Sequence, residues 1–152
     1  MIKCTFLLND QPMSLFDLGG RSFPAFSGLG VHVNRRSSSC VADQGPIPIG
    51  EYFLLDRESG GRLGKIYDAL NGRRDWFALY ADDGRVDDKT WCEQVERGAF
   101  RLHPKGPLGI SQGCIVINEP SEFSQLRLIL RARAPFKIPG SELTAWSKVI
   151  VK

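Results

Sequence analysis

Apolar residues along this chain fall in short runs closed off by Gly, Pro, Asn and Asp, the pattern of β-strands joined by turns. Lys3–Leu8 and Met13–Leu18 flank Asn9-Asp10-Gln11-Pro12 and predict an opening hairpin. Ser22–Phe26, Tyr52–Leu55, Trp76–Tyr80, Ala99–His103 and Ile115–Asn118 are further strands, and Lys148–Lys152 adds a last one. Only Ser121–Arg133 has helical periodicity: Phe123, Leu126, Ile129 and Leu130 share a face, with Arg127, Arg131 and Arg133 off it. Ser121 is the expected cap and Ala134-Pro135 the stop, with the arginines forming a solvated basic face near the negative end of the helix dipole. Asp82-Asp83-Gly84 and Arg57–Gly64 are the expected long surface loops. The fold class expected is mainly β, a β-rich α+β domain with one substantial helix at about 121–133.

Composition narrows this little. At 152 residues the chain is one domain's worth, read as a single unit over 1–152 with a motif-bearing core at about 27–130. A net charge of +3 suits an anionic polymer but selects no function, and nothing points to nucleic acid. No apolar stretch approaches the roughly 18–20 residues of a membrane span, so no membrane insertion is expected. Met1–Gly20 carries no secretory-signal pattern, which predicts either a cytoplasmic protein or export without a cleavable signal.

The four cysteines, Cys4, Cys40, Cys92 and Cys114, form no CxxC pair, which speaks against structural zinc. With Cys114 set aside as a nucleophile, at most one disulfide forms among the rest. The pairing stays open, and three buried thiols fit equally well.

Chemistry concentrates between Arg101 and Asn118. A strand ends in His103, a Gly/Pro-rich loop follows, and Ser111-Gln112-Gly113-Cys114 opens the next strand, eleven positions beyond the histidine. That loop is long enough to turn back and set the two side chains face to face at adjacent strand ends. An ordinary thiol with pKa near 8.5 is only slightly ionised at neutral pH, and a neighbouring imidazole can take its proton. Gly113 permits a positive φ, so the amides of Gly113 and Cys114 can face a developing oxyanion, worth about 3 kcal/mol per donor. Ser111 and Gln112 are supporting residues, with Ser111 bonding across the loop or to the imidazole. His32, alternating with valines, either points into the cleft or lies on a strand. Asn118-Glu119 are candidates for orienting His103, and Gly45–Gly50 with its two prolines fixes a turn.

Ser111-Gln-Gly-Cys114-Ile resembles the S-x-G-C-I core of the YkuD-type L,D-transpeptidases, in which the base His precedes the Cys. Gly45-Pro-Ile-Pro-Ile-Gly-Glu-Tyr52 and Val95-Glu-Arg97-Gly98-Ala-Phe100-Arg-Leu-His103-Pro104 look more like a smaller branch, formerly a domain of unknown function, that includes type VI secretion effectors attacking peptidoglycan. Gln112 stands where many YkuD enzymes have His, Val116 where they have Arg, and the His-to-Cys spacing is shorter. The substrate-carboxylate contact is thus open among Arg101, Arg35 and Arg36, with His32 a further substrate-binding candidate.

The resemblance implies a transpeptidase-like mixed β-sheet or sandwich with its cleft at the ends of Phe100–His103 and Ile115–Asn118. It implies attack by Cys114 on the amide after meso-diaminopimelate in stem peptides, loss of D-Ala, and hydrolysis or exchange of the thioester, with no cofactor and no metal. It also implies injection into the periplasm of a target bacterium, with an immunity protein and a secretion-apparatus component as partners. Two rivals are an NlpC/P60-like or papain-like peptidase, disfavoured because those place Cys before His, and an inactive peptidoglycan-binding module. A metal site at His103 and Cys114 would lack further ligands.

Overall fold

The structure, a computed structural model, describes residues 2–57, 75–106 and 111–152. Twelve strands and one helix are formed: β1 (Lys3–Phe6), β2 (Ser14–Leu18), β3 (Arg21–Ser27), β4 (Gly50–Asp56), β5 (Phe77–Ala81), β6 (Lys89–Cys92), β7 (Val95–Gly98), β8 (Arg101–Pro104), β9 (Ile115–Ile117), α1 (Pro120–Arg131), β10 (Phe136–Lys137), β11 (Thr144–Ala145) and β12 (Ser147–Val151) among the described residues. The β-rich α+β class holds, and eight strands close into a barrel in the order β1-β12-β4-β5-β8-β9-β3-β2. Two pairs, β1 with β12 and β8 with β9, run parallel, so the sheet is mixed as expected.

The opening hairpin pairs Phe6 with Phe16, and Gly19 and Gly20, both at positive φ, then supply the tight turn into β3 that their type allows without steric cost. Alternation sends Phe6, Phe16, Phe23, Phe77, Leu102 and Ile115 into the barrel, where they form the main core. The outer faces of β4 and β5 are covered as well: Phe53, Leu55, Ala78 and Tyr80 pack beneath Ile138 and Ala145, beside the β10–β11 hairpin. That second layer explains why their sequences read as continuous apolar runs rather than alternating ones.

Helix α1 presses Phe123, Leu126 and Leu130 onto the main core, as its periodicity predicts. Its start differs from expectation. Glu119 is the N-cap residue and Pro120 occupies the first turn, so Ser121 lies inside the helix rather than capping it. Proline is favoured there because its fixed φ suits the first turn and its missing N–H would have been unpaired anyway. Nor is the basic face simply solvated: Arg127 pairs with Asp75 at 3.3 Å and Arg131 with Asp56 at 2.9 Å, while Arg131 also lies over Trp146. Asp82-Asp83-Gly84 is a loop, and 58–64 of the other expected loop lie outside the described residues. No helix among the described residues is long and apolar enough to cross a membrane.

Candidate functional site on the outer face of β8 and β9

The parallel pairing of β8 and β9 decides how His103 and Cys114 meet. Leu102 pairs with Ile115 and His103 with Val116, so one step back in register places Cys114 beside Arg101. Leu102, Ile115 and Ile117 point into the core, which leaves Arg101, His103, Cys114 and Val116 on the outer face. The loop expected to set the two side chains face to face at adjacent strand ends joins strands that run parallel. In this parallel pair Cys114 sits at the entry to β9, whereas His103 is two residues farther along β8. At ~3.3 Å rise and ~4.8 Å strand spacing, their Cα atoms lie on a diagonal of about 8 Å on a shared face.

His103 is held from two sides. Its Nδ1 lies 2.8 Å from the carbonyl oxygen of Pro104. Because a carbonyl can only accept, Nδ1 carries the proton and Nε2 is the acceptor nitrogen of the neutral ring. Its face stacks on Trp76, with centroids 4.1 Å apart and planes 16° from parallel. Sequence reading placed Trp76 only as a strand start. The pairing of Phe77 with Leu102 carries it across from His103, a relation visible only once β5 is known to neighbour β8. Asn118 Nδ2 donates to Glu119 Oε1 at 3.4 Å, and the acceptor for His103 Nδ1–H is the carbonyl of Pro104.

Cys114 is a free thiol and partly exposed. Burial around its sulfur pushes the thiol above its ordinary range; the Arg101 backbone N–H and the Arg101 and Arg57 guanidinium groups pull it down, and Asp88 opposes them. Arg101, a candidate for the substrate carboxylate, is occupied by Asp88 in a two-pronged ion pair at 2.9 and 2.7 Å. Arg57 also stands over Trp76, 5.7 Å from its ring centroid, so one cation reaches both the stack and the thiol's field.

The Ser111–Cys114 turn is tightly specified. Ser111 is buried; its Oγ donates to the Cys114 carbonyl at 2.7 Å and accepts from the Gly28 N–H at 3.1 Å. Ser111 thus bonds across the loop rather than to the imidazole. Gly113 has φ +106°, and a Cβ there would lie 2.6 Å from Arg97 Nη2 and 3.0 Å from Phe100 Cε1, so only glycine fits. Gln112 is exposed beside it.

His32, expected in the cleft or on a strand, lies in a 3₁₀ turn over Gly30–His32 with Nδ1 2.8 Å from Ser38 Oγ. Arg35 and Arg36 are exposed in the adjoining turns. The sequence left the cysteine pairing open; Cys40 and Cys92 form the disulfide, and Cys4 is buried and free. Among the described residues no cluster of His, Cys, Asp and Glu has the make-up to hold a metal ion.

Comparison with curated proteins gives no match, and neither does comparison with solved structures. The family model described as the Tlde1 domain matches residues 21–141, a span holding the whole of the outer-face site, and the chain belongs to that family of type VI secretion effectors.

Proposed function

We propose that the chain is a peptidoglycan-directed cysteine enzyme, an L,D-carboxypeptidase and L,D-transpeptidase with Cys114 as nucleophile and His103 as base. The carrying observation is the shared outer face of β8 and β9, which presents a partly exposed thiol and a histidine whose Nδ1–H is committed to the Pro104 carbonyl.

In this reading His103 Nε2 takes the thiol proton as Cys114 Sγ bonds to the meso-diaminopimelate carbonyl carbon that is amide-linked to D-Ala. The negative charge moves to the carbonyl oxygen, facing the amides of Gly113 and Cys114. On collapse the C–N bond breaks and the imidazolium returns its proton to the departing amine of D-Ala. Water, deprotonated by the same nitrogen, releases the acid from the thioester; an amine in its place gives exchange.

In this reading the chain acts in the periplasm of a target bacterium; membership of an effector family supports a cognate immunity protein, which would cover the Cys114 face. The test is muropeptide mass spectrometry with purified protein. The wild type should trim tetrapeptide stems by one D-Ala and Cys114→Ala should not; equal trimming by both overturns the mechanism. In a Gram-negative host, the chain behind a Sec signal should cause swelling or lysis, and the Cys114→Ala form should be harmless. Lysis that survives loss of Cys114 returns weight to a binding module.

A further inference from the structure

Behind the site lies a brace that the proposed chemistry does not touch. Arg97, on β7, is 4% exposed although charged, a burial rare for arginine unless its fork is fully used. Nη1 donates to the carbonyls of Ser39 and Pro46, and Nη2 to that of Gly45 at 3.0 Å. Its guanidinium also lies 5.4 Å from the centroid of Phe100 and fills the space where a Gly113 side chain would stand. One buried cation thus touches the Ser39–Pro46 loop and the floor of the Gly113–Cys114 turn. The Cys40–Cys92 disulfide joins the same two bodies covalently, since Cys40 adjoins Ser39 and Cys92 ends β6, the antiparallel partner of β7. The segment leading into β6 supplies Asp88, the partner of Arg101.

We infer that Arg97 is a positioning residue for the Gly113–Cys114 turn, and that the Cys40–Cys92 disulfide sets how firmly it grips, making the site redox-dependent. The disulfide forms when the Cys40 and Cys92 thiols pass two electrons and two protons to the disulfide of a dithiol–disulfide oxidoreductase, which leaves as a dithiol. Such oxidants belong to compartments like the periplasm, and the cytosol keeps thiols reduced. With the bond open, the loop is tied to the hairpin by the hydrogen bonds of Arg97 without the covalent link, and the amides at Gly113 and Cys114 lose fixed aim. The role given to Cys114 rests on the proposed function; the brace itself is readable without it.

Two free thiols make the test internal. Cys114 lies at the braced turn, and Cys4 is buried in the barrel core far from the brace in sequence. Labelling with iodoacetamide at pH 8, followed residue by residue by mass spectrometry, is compared for the oxidised wild type, Cys40→Ser/Cys92→Ser and Arg97→Met. Both variants should label Cys114 about tenfold faster, with Cys4 still protected, because local openings cost less than global unfolding. On muropeptides kcat should fall about tenfold to a hundredfold with KM little changed, as misaim of an unmoving substrate site predicts. Arg97→Lys, which keeps charge but loses the fork, should fall between. Unchanged Cys114 labelling overturns the inference, and so does Cys4 labelling that rises in step, which would mark a staple of the whole fold. A wild type without turnover would sink the proposed reaction, yet the labelling ratio would still decide the brace.

Discussion

Trp76 lies flat against His103, ring on ring at 4.1 Å, while the imidazole Nδ1 lies 2.8 Å from the Pro104 carbonyl oxygen. The stack fixes the plane of the ring and the carbonyl fixes its rotation, so together they aim Nε2. Trp76→Phe should retain most activity, and Trp76→Ala should lower kcat on tetrapeptide muropeptides about tenfold or more, as loss of alignment does. An alanine variant as fast as wild type would show that the stack does not aim the ring.

Gly113→Ala sets a methyl against Arg97 and Phe100 in a backbone conformation that L-residues avoid. Strain of this kind costs about 1–3 kcal/mol, to be read by urea unfolding, with turnover falling further than stability accounts for. Unfolding and turnover both at wild-type levels would mean the turn is not so tightly held.

The charges around Cys114 make a signed prediction about its pH dependence. Burial holds the thiol up, Arg101 and Arg57 draw it down, and Asp88 opposes them. Removing the cation with Arg101→Met should move the Cys114 alkylation curve to higher pH. Neutralising its partner with Asp88→Asn should move the curve to lower pH. Shifts in one common direction would show that packing, not charge, governs the thiol.

Cys4, fully buried in the core, has its thiol pushed up from 9.0 to about 11 by burial. A folded-state value raised above the unfolded one means stability is complete below about pH 9 and is lost as pH climbs toward 11. The full loss is about 3 kcal/mol. In a Cys114→Ala background, urea unfolding at pH 8 and pH 10.5 should show this decline, and Cys4→Ala should flatten it. Parallel declines in the two proteins would assign the pH dependence to other groups.

How far the chain could be read before its structure depended on range. Periodicity located β1, β2, β3, β4, β5, β8, β9, β12 and the helix, because alternation and the 3.6-residue repeat are local. The partners of a strand are not local. Spacing alone brings Cys114 and His103 to adjacent strand ends; that Cys114 also stands beside Arg101, and Trp76 on His103, follows from strand pairing. The same limit hid Arg97, whose charge reads as surface until Ser39, Gly45 and Pro46 close around it. Ser121 reads as a cap in sequence because capping serines and first-turn prolines occupy neighbouring positions, and Pro120 takes precedence here.

The barrel is sewn shut by its first and twelfth strands, Lys3 beside Lys148 and Phe6 beside Val151. That seam pairs the strands most distant in chain order among the barrel's eight, which makes ring closure a late and slow event, as pairings of high sequence separation are. Until then the ladders of β1 and β4 stay open, each a template for a stray strand. A nick that frees Ser147–Val151 would restore those edges to a finished molecule. Aggregation, rather than mere loss of activity, is the failure this architecture invites.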